Sequence, residues 1–256
     1  MVTAARASRA AVFDVDGTLV DSERHGHRVA FNLAFEEFGL PYRWEVEEYG
    51  RLLRTTGGQR RIDSYLAAHG VGDAERARLT PALHRRKTEL MSALVEEGRV
   101  EVRPGAHRLL AELAEEGWRL AIATTGSGGW VTHLLGRLLP EVTFEVTVFG
   151  DEVERRKPDP EAFTVAVERL GVGAERVVVV EDSAEGVEAA AAARLPCAAV
   201  LNGYTLDHDV SAAGVVLDGF GEPGAPAQVL ADRAATGCGG VLEARTLARL
   251  LDVAQE

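Results

Sequence analysis

The chain has 256 residues, 46% of them hydrophobic, which is enough for one large core or for a core with a smaller companion domain. Its formal net charge of −12 repels phosphate polymers and anionic lipid surfaces, so we expect no nucleic acid and no membrane among its partners. No apolar run approaches the roughly 18 residues of a membrane helix, and the first ten residues lack the apolar core of a secretion signal. These features predict a cytoplasmic protein. We expect it to be a monomer or a weak homo-oligomer.

Two scarce residue types are informative. Cys197 and Cys238 lack the spacing of a metal site, and a reducing compartment disfavours a disulfide, so both are interpreted as packing residues. Arginine supplies almost all the positive charge, because Lys87 and Lys157 are the only lysines. The presence of lysine at position 157 therefore suggests a specific role for its ammonium group.

The first predicted strand is the apolar run Ala10–Phe13, which is followed directly by Asp14 and Asp16. Side chains alternate between the faces of a strand, so the chain must turn here for both carboxylates to emerge together. Gly17 permits the turn, and Thr18 is placed to hydrogen-bond nearby backbone or an anion at the mouth of the loop. Because open α/β sheets bind ligands at the carboxyl ends of their strands, an aspartate nucleophile is one interpretation and an ordinary Asp-Gly turn is the other.

Residues 21–100 show no strand pattern and are predicted to form consecutive helices. One helix carries aromatic residues at three- and four-residue steps and ends at Gly39, and another is predicted to begin at Thr80-Pro81. We expect the aromatic and methionine positions of these helices to be core. The segment therefore predicts a small all-helical domain, inserted into a core domain of residues 1–20 and 101–256.

From residue 103 onward, helical stretches alternate with short valine-rich strands, the pattern of a parallel sheet covered on both faces. The valine run 177–180 has no polar alternation, which is typical of a central strand. A last helix is predicted near residues 243–254. We therefore predict an α/β fold with a Rossmann-like doubly wound parallel sheet. The later strands are predicted at Leu120–Thr124, Val146–Phe149, Val177–Glu181, Ala198–Leu201 and Val215–Leu217.

Three later segments place polar groups at the same edge as the first acidic loop. Thr124 and Thr125 open a glycine-rich loop that suits a phosphoryl oxygen and equally suits a simple helix cap. Lys157 lies between a strand and a helix, where its ammonium either reaches a phosphate and the first carboxylate or is solvated at the surface. Glu181 and Asp182 end the valine run. Burying both without a cation is costly, which favours Mg²⁺ ligands over a chance acidic pair.

Together, the four segments resemble the haloacid dehalogenase superfamily, and the resemblance covers essentially the whole chain. It implies that Asp14 attacks phosphorus and becomes an aspartyl phosphate, with Asp16 as the general acid and base. It also implies that Thr124 and Lys157 bind the transferring phosphoryl group and offset its charge. The implied cofactor is Mg²⁺, with Asp14, the carbonyl of Asp16 and Asp182 as ligands and Glu181 acting mainly through bound water.

The helical insertion resembles the mobile cap of this superfamily, which closes over the site and selects the substrate. Its segments 23–32 and 55–62 are similar to those of the CbbY-type xylulose-1,5-bisphosphate phosphatases. That group usually carries threonine in place of Gly126 and lysine in place of Gln59, which leaves an arginine to meet a distal phosphate. The implied substrate-binding residues are Glu23, His27, Arg54, Gly57, Gly58, Arg61 and Thr125, with Arg60 as a further candidate for the distal phosphate.

These observations predict a Mg²⁺-dependent phosphatase that acts on a small sugar phosphate or bisphosphate, with xylulose-1,5-bisphosphate as the best candidate. A phosphomutase similar to β-phosphoglucomutase shares the core residues and is the first alternative, although the segment at Gly57-Gly58 favours the phosphatase. A protein that kept the fold and only binds phosphorylated ligands is the second alternative.

Overall fold

A computed structural model describes residues 8–55 and 57–254 of the chain. The chain divides into two compact units, one formed by Met1–Val20 with Val102–Glu256 and the other by Asp21–Glu101. Among the described residues of the second unit, all regular structure is helical.

The first unit is built on a seven-stranded sheet. Its strands are β1 (Ala10–Phe13), β2 (Arg119–Ala123), β3 (Val146–Val148), β4 (Val177–Glu181), β5 (Cys197–Val200), β6 (Val215–Leu217) and β7 (Val229–Asp232). The spatial order is β3-β2-β1-β4-β5-β6-β7, and every neighbouring pair is parallel except β6 with β7. This order confirms the predicted doubly wound sheet, and it places the carboxyl ends of β1 and β4 side by side at the topological switch point.

Helices cover this sheet and form the second unit. They are α1 (Arg28–Glu37), α2 (Val46–Leu52), α3 (Gly58–Ala68), α4 (Asp73–Glu96), α5 (Ala106–Glu115), α6 (Gly128–Leu138), α7 (Glu161–Leu170), α8 (Ala184–Ala192) and α9 (Ala244–Val253), with a π-helical turn at Glu23–His27 and a 3₁₀ turn at Ala174–Arg176. The end of α7 follows the predicted pattern, because Gly171 adopts the left-handed conformation with φ 63°.

The predicted start of a helix at Thr80-Pro81 is wrong, because α4 begins seven residues earlier at Asp73 and contains Pro81 in its interior. Asp73 and Glu75 lie in the first turn, where the positive end of the helix dipole favours acidic residues. Pro81 removes one backbone donor, but it lies on the exposed side of the helix, while Leu79 and Leu83 continue the buried side.

The aromatic residues of the second unit form its core, as predicted. Phe31, Phe35, Trp44 and Tyr49 are almost completely buried, and Phe31 and Phe35 lie 4.7 Å and 4.9 Å from Trp44 between ring centroids. The backbone amide of Trp44 donates to Oδ1 of Asn32, and the carbonyl of Trp44 accepts from Nδ2 of Asn32. Such aromatic packing buries a large apolar area in a small unit.

Two further sequence predictions concern simple properties of the chain. Cys197 and Cys238 are both free thiols, the first buried and the second half-buried. None of the described helices is long and apolar enough to cross a bilayer.

Candidate active site

The acidic loop after β1 turns as the sequence predicted. Gly17 has φ +87°, and its amide donates to the carbonyl of Val20 at 2.8 Å. A Cβ atom at this position would lie 2.7 Å from Oδ2 of Asp182, so the loop also needs glycine in order to approach the neighbouring strand end. Asp14 directly follows β1 and is buried, whereas Asp16 is half-buried.

Lys157 connects the two acidic loops. Its Nζ donates to Oδ1 of Asp14 at 2.8 Å, to Oε1 of Glu181 at 2.6 Å and to the carbonyl of Ala123 at 2.8 Å. It also lies 4.8 Å from the ring centroid of Phe163. An ammonium group has three donors, and these three acceptors use all of them. The surface alternative for Lys157 is therefore wrong, because the side chain is 4% exposed.

Glu181 is held by contacts on both carboxylate oxygens. While Oε1 accepts from Lys157, Oε2 accepts from the amides of Asp182 and Ser183 at 2.8 Å and 3.2 Å and from the hydroxyl of Ser183 at 3.1 Å. A Cβ atom at Gly186 would overlap this carboxylate. The first turn of α8 therefore approaches the end of β4 only because residue 186 is glycine.

Asp182 is oriented by two neutral donors. The hydroxyl of Thr18 donates to Oδ1 at 2.8 Å, rather than to the backbone or anion expected from the sequence, and Nδ2 of Asn202 donates to Oδ2 at 2.7 Å. Asn202 also donates to the carbonyl of Gly17 at 3.1 Å. Sequence reasoning missed Asn202, and its one signal was its place directly after a strand of the predicted sheet.

Arg103 is a second residue that sequence reasoning missed. It is buried, and its guanidinium donates to the carbonyls of Gly17 at 2.7 Å, Val200 at 2.7 Å and Leu201 at 2.6 Å. It therefore ties the acidic loop after β1 to the end of β5 through backbone contacts. No motif in the sequence distinguished it from the other arginines.

The site contains more negative than positive charge. Burial raises the pKa of Asp14 well above its usual value, the charge of Lys157 opposes this, and the charges of Glu181 and Asp182 add to it. Burial and then the charge of Glu181 raise the pKa of Asp182 to about 7. Burial favours the neutral form of Lys157, but the charges of Asp14 and Glu181 outweigh it and raise the pKa of the ammonium above its usual value. One ammonium does not neutralise three carboxylates.

The donor set fits a hard divalent cation. Asp14, Glu181 and Asp182 are all buried, and each offers an oxygen such that these atoms lie within 4.8 Å of one another. Such oxygen clusters suit Mg²⁺ or Ca²⁺, and the charge of a cation there would oppose the rise in the pKa values of Asp14 and Asp182. Glu181 is the least free of the three, since its oxygens accept from Lys157, from two backbone amides and from the Ser183 hydroxyl, whereas each oxygen of Asp182 accepts from one neutral donor.

The loop after β2 faces the acidic loop. Thr124 is buried, and its Oγ1 accepts from the amide of Gly126 at 3.1 Å. A Cβ atom at Gly126 would lie 2.7 Å from Val131 and 3.4 Å from Oδ2 of Asp16, so Asp16 borders this loop. Val131 thus fills the space that a side chain at position 126 would need. Thr125 is half-buried in the same loop.

The predicted substrate-binding residues other than Thr125 lie in the second unit, and two of them join one network. The hydroxyl of Tyr49 donates to Oε2 of Glu23 at 2.5 Å, and Nη1 of Arg61 donates to the same hydroxyl at 3.1 Å. Arg61 is buried, and its Nε also donates to the carbonyl of Leu52. Arg61 is therefore committed to contacts inside the second unit.

A lysine that the sequence reasoning passed over lies beside His27. Lys87 is 7% exposed, its Nζ contacts Nδ1 of His27 at 2.8 Å, and it lies 4.9 Å from the ring centroid of Phe31. An ammonium group only donates, so Nδ1 of His27 accepts in this contact. Burial, and then the charges of Lys87, His27 and Arg61, lower the pKa of His84 to about 4. The scarcity of lysine in the sequence was the available signal for a role of Lys87. Both lysines of the chain are buried beside polar partners.

The remaining predicted residues surround the start of α3. Gly57 precedes the helix with φ 91°, and a Cβ atom at Gly58 would lie 3.0 Å from the ring of His84. Arg54 is exposed before this turn. Gly58 therefore allows the start of α3 to approach α4 closely.

Comparison with known proteins identifies the family. The model for haloacid dehalogenase-like hydrolases matches residues 8–194. Protein CbbY from Cereibacter sphaeroides is 41% identical over 219 residues, which cover 84% of this chain and 94% of that protein.

Solved structures agree with this match. A mutant CbbY from Rhodobacter sphaeroides, crystallised in complex with xylulose-1,5-bisphosphate, is 37% identical with a TM-score of 0.73, and the match covers 85% of this chain and 96% of that one. A β-phosphoglucomutase from Clostridium difficile shares the fold, with a TM-score of 0.63 at 19% identity over 83% of this chain and 91% of that one. From the family match, the extent of the CbbY alignment and the acidic site at the sheet edge, we conclude that this chain belongs to the haloacid dehalogenase-like hydrolases.

Proposed function

We propose that the chain is a Mg²⁺-dependent phosphatase that hydrolyses a small sugar phosphate or bisphosphate through an aspartyl phosphate on Asp14, with xylulose-1,5-bisphosphate as the best candidate. The observation that carries the proposal is the buried contact of Lys157 with both Asp14 and Glu181, next to Asp182. The family's hydrolase character and the sugar bisphosphate bound by the CbbY relative support a phosphate ester as substrate.

In the first step, an oxygen of Asp14 attacks the phosphorus atom, and the bond between phosphorus and the sugar oxygen breaks. Lys157 holds Oδ1 of Asp14, which leaves the second oxygen for the attack. The positive charge of Lys157 also lowers the repulsion between an anionic nucleophile and an anionic substrate. The products of this step are an acyl phosphate on Asp14 and a sugar with a free hydroxyl group.

Asp16 completes the proton balance. It donates a proton to the departing sugar oxygen, and then takes a proton from the water molecule that attacks the acyl phosphate. The second step breaks the bond between phosphorus and the Asp14 oxygen and releases inorganic phosphate. The half-buried position of Asp16 at the loop after β2 is compatible with this exchange.

Asp14, Asp182 and the backbone carbonyl of Asp16 would hold Mg²⁺. Glu181 would act through bound water, because its oxygens are held by Lys157, by two backbone amides and by the Ser183 hydroxyl, whereas each oxygen of Asp182 accepts from one neutral donor. When bound, Mg²⁺ supplies positive charge that offsets the phosphoryl oxygens and the carboxylates. Thr18 and Asn202 fix the orientation of Asp182 for this role.

Thr124 binds the phosphoryl group in this proposal. Because its Oγ1 accepts from the amide of Gly126, the hydroxyl proton is available for a phosphoryl oxygen. Thr125, in the same loop, is proposed as a substrate contact.

Residues 21–100 act as the cap in this proposal and select the sugar. Glu23 and His27 are proposed to contact substrate hydroxyl groups, Gly57 and Gly58 to shape the loop, and Arg54 and Arg61 to contribute positive charge. The buried Lys87 beside His27 adds a third cation to this group.

The phosphomutase alternative remains, because the β-phosphoglucomutase fold is the same and fold alone does not fix function. A non-catalytic binding protein is the other alternative. The phosphomutase predicts an isomerised sugar phosphate, and the binding protein predicts no product. Our proposal predicts inorganic phosphate.

The test is a screen for inorganic phosphate release across sugar mono- and bisphosphates, with and without Mg²⁺. We expect release only with Mg²⁺, the highest kcat/KM on a pentulose bisphosphate, and complete loss of turnover in Asp14→Asn. An isomerised sugar phosphate without net phosphate release would establish the mutase instead. Folded protein with metal that releases no phosphate from any substrate would establish the binding protein.

A further inference from the structure

The loop after β2, residues 124–128, contains the proposed phosphoryl contact Thr124, but its own sequence does little to order it. Three of the four residues 126–129 are glycine. Glycine loses the most conformational entropy on folding, and two of these glycines begin α6, where they weaken the start of the helix. The order of this loop therefore depends on contacts from outside it.

The start of α6 receives its cap from another strand end. Ser127 holds the N-cap position, where a serine hydroxyl commonly accepts from an amide of the first turn. Its side chain is exposed and makes no such hydrogen bond. Instead, the amide of Gly128 donates to the carboxylate of Asp151, at 3.1 Å to Oδ1 and 3.3 Å to Oδ2. Asp151 lies in the loop after β3, so that loop supplies the acceptor which Ser127 does not.

Gly150 brings the two loops together. Its amide donates to the carbonyl of Gly126 at 2.8 Å, and a Cβ atom at position 150 would overlap the carbonyl of Thr125. The backbone of Gly150 therefore contacts the peptide units on both sides of Gly126. Only glycine permits such a close approach at this position.

The loop after β3 is itself held in place. Glu152 accepts through Oε2 from the amide of Phe149 at 2.9 Å, and its Oε1 pairs with Arg169 of α7 at 3.0 Å. Arg169 also donates to the carbonyl of Thr147, within β3, at 3.0 Å. Residues 149–152 therefore offer a supported surface on which the glycine-rich loop can be ordered.

These contacts also determine the position of the Thr124 hydroxyl. The amide of Thr124 donates to the carbonyl of Val148, at the end of β3, at 3.1 Å. Oγ1 of Thr124 accepts from the amide of Gly126, and Gly126 is held by Gly150. The side chain of Thr124 is thus fixed by a loop whose far end is capped by Asp151.

We propose that Asp151 is a positioning residue for the phosphoryl-binding loop, because its carboxylate caps α6 and holds residues 124–128 ready for a phosphoryl group. The choice of this ligand rests on the proposed function, in which Thr124 binds the phosphoryl oxygens. Asp151 touches no reacting atom and acts through its hydrogen bond to Gly128. The oxygen acceptor of its side chain is therefore essential, whereas the negative charge is not.

The test measures the binding of inorganic phosphate to wild type, Asp151→Ala and Asp151→Asn by isothermal titration calorimetry in Mg²⁺. Asparagine removes the charge but keeps an oxygen acceptor, and it caps helices about as well as aspartate. Asp218→Ala is the matched control, because Asp218 is exposed and also accepts from a backbone amide of another loop, that of Gln228 at 2.8 Å. Urea unfolding of each variant measures what the carboxylate contributes to the fold.

We expect Asp151→Ala to raise the Kd of inorganic phosphate by about fivefold, because the cost of ordering the loop then falls on binding. Asp151→Asn should restore the wild-type affinity. Asp218→Ala should bind phosphate as wild type does, even if its urea midpoint falls as far as that of Asp151→Ala. A role of Asp151 in stability alone would give no such difference in phosphate affinity.

Wild-type phosphate affinity in Asp151→Ala would overturn the proposal. Equal losses in Asp151→Ala and Asp151→Asn would also overturn it, because the effect would then come from the charge. An equal loss in Asp218→Ala, or a wild type that binds no phosphate, would contradict it as well. A wild type that binds phosphate but hydrolyses no phosphate ester would contradict the proposed function alone, so the two proposals fail separately.

Discussion

Asp182, a proposed metal ligand, is held in position by neutral side chains. Thr18 and Asn202 each donate to one of its oxygens, and Asn202 also reaches the carbonyl of Gly17 in the opposite loop. Neither donor carries a charge, so they fix the direction of the carboxylate without competing with a cation. Asn202 is therefore a positioning residue that acts through Asp182.

Asn202→Ala removes the hydrogen bonds that Nδ2 of Asn202 donates to Asp182 and to Gly17. We expect this change to weaken the affinity of the site for Mn²⁺ or Mg²⁺ by about tenfold. Direct Mn²⁺ binding followed by electron paramagnetic resonance gives a readout that does not depend on turnover. Gln228→Ala, which removes an exposed amide elsewhere in the first unit, serves as the control. Wild-type Mn²⁺ affinity in Asn202→Ala would show that the asparagine has only a structural role.

Among single residues, the sequence predicted the acidic side chains and Lys157 better than the side chains that hold the loops of the site together. Asp14, Lys157 and Asp182 stood out because their residue types and their places after strands suggested chemistry. Asn202 and Arg103 did not, because their roles depend on contacts with backbone carbonyls that only the folded chain brings together. Lys87 was visible as one of two lysines, but nothing in the sequence showed that it would be buried.

At the level of helices and strands, the residues of the site lie at the carboxyl ends of the strands. Most of the strands were predictable to within a residue because buried parallel strands are continuous apolar runs. The strand β7 was not predicted, since it is a short, half-exposed edge strand that includes the exposed Leu230. The start of α4 was misplaced because Thr80-Pro81 has the composition of a helix start, whereas the tertiary packing of Leu79 and Leu83 continues the helix through it.

The approach of α8 to β4 provides a test at the level of elements. Gly186→Ala would push a methyl group into the carboxylate of Glu181, so we expect a loss of about 1–3 kcal/mol in the free energy of unfolding and a large fall in activity. Gly136→Ala is the matched control, because Gly136 also lies inside a helix but has open space around its Cβ position.

Urea unfolding measures both variants. The control should gain about 0.5–1 kcal/mol, as expected for alanine in place of glycine within a helix. If Gly186→Ala were as stable and as active as this control, the close contact between Gly186 and Glu181 would have no energetic importance.

In the whole molecule, residues far apart in the chain meet at one edge of the sheet. The doubly wound order brings the ends of β1 and β4 together, and for this reason the cluster of Asp14, Glu181 and Asp182 was predictable from two separate motifs. The contacts of Lys157 across these loops were less predictable, because they depend on the path of the chain after β3. The buried carboxylates at this edge favour the cationic side chain of Lys157 beside them, and in our proposal they also favour a bound divalent cation.

The most direct test of the account is rapid quenching in acid after mixing enzyme, Mg²⁺ and substrate labelled with ³²P on the reacting phosphate. We predict label on Asp14 in the wild type and more of it in Asp16→Ala, which forms the acyl phosphate better than it hydrolyses it, and none in Asp14→Asn. If Asp14→Asn acquired as much label as the wild type, or if turning-over wild type never acquired any, Asp14 would not be the nucleophile.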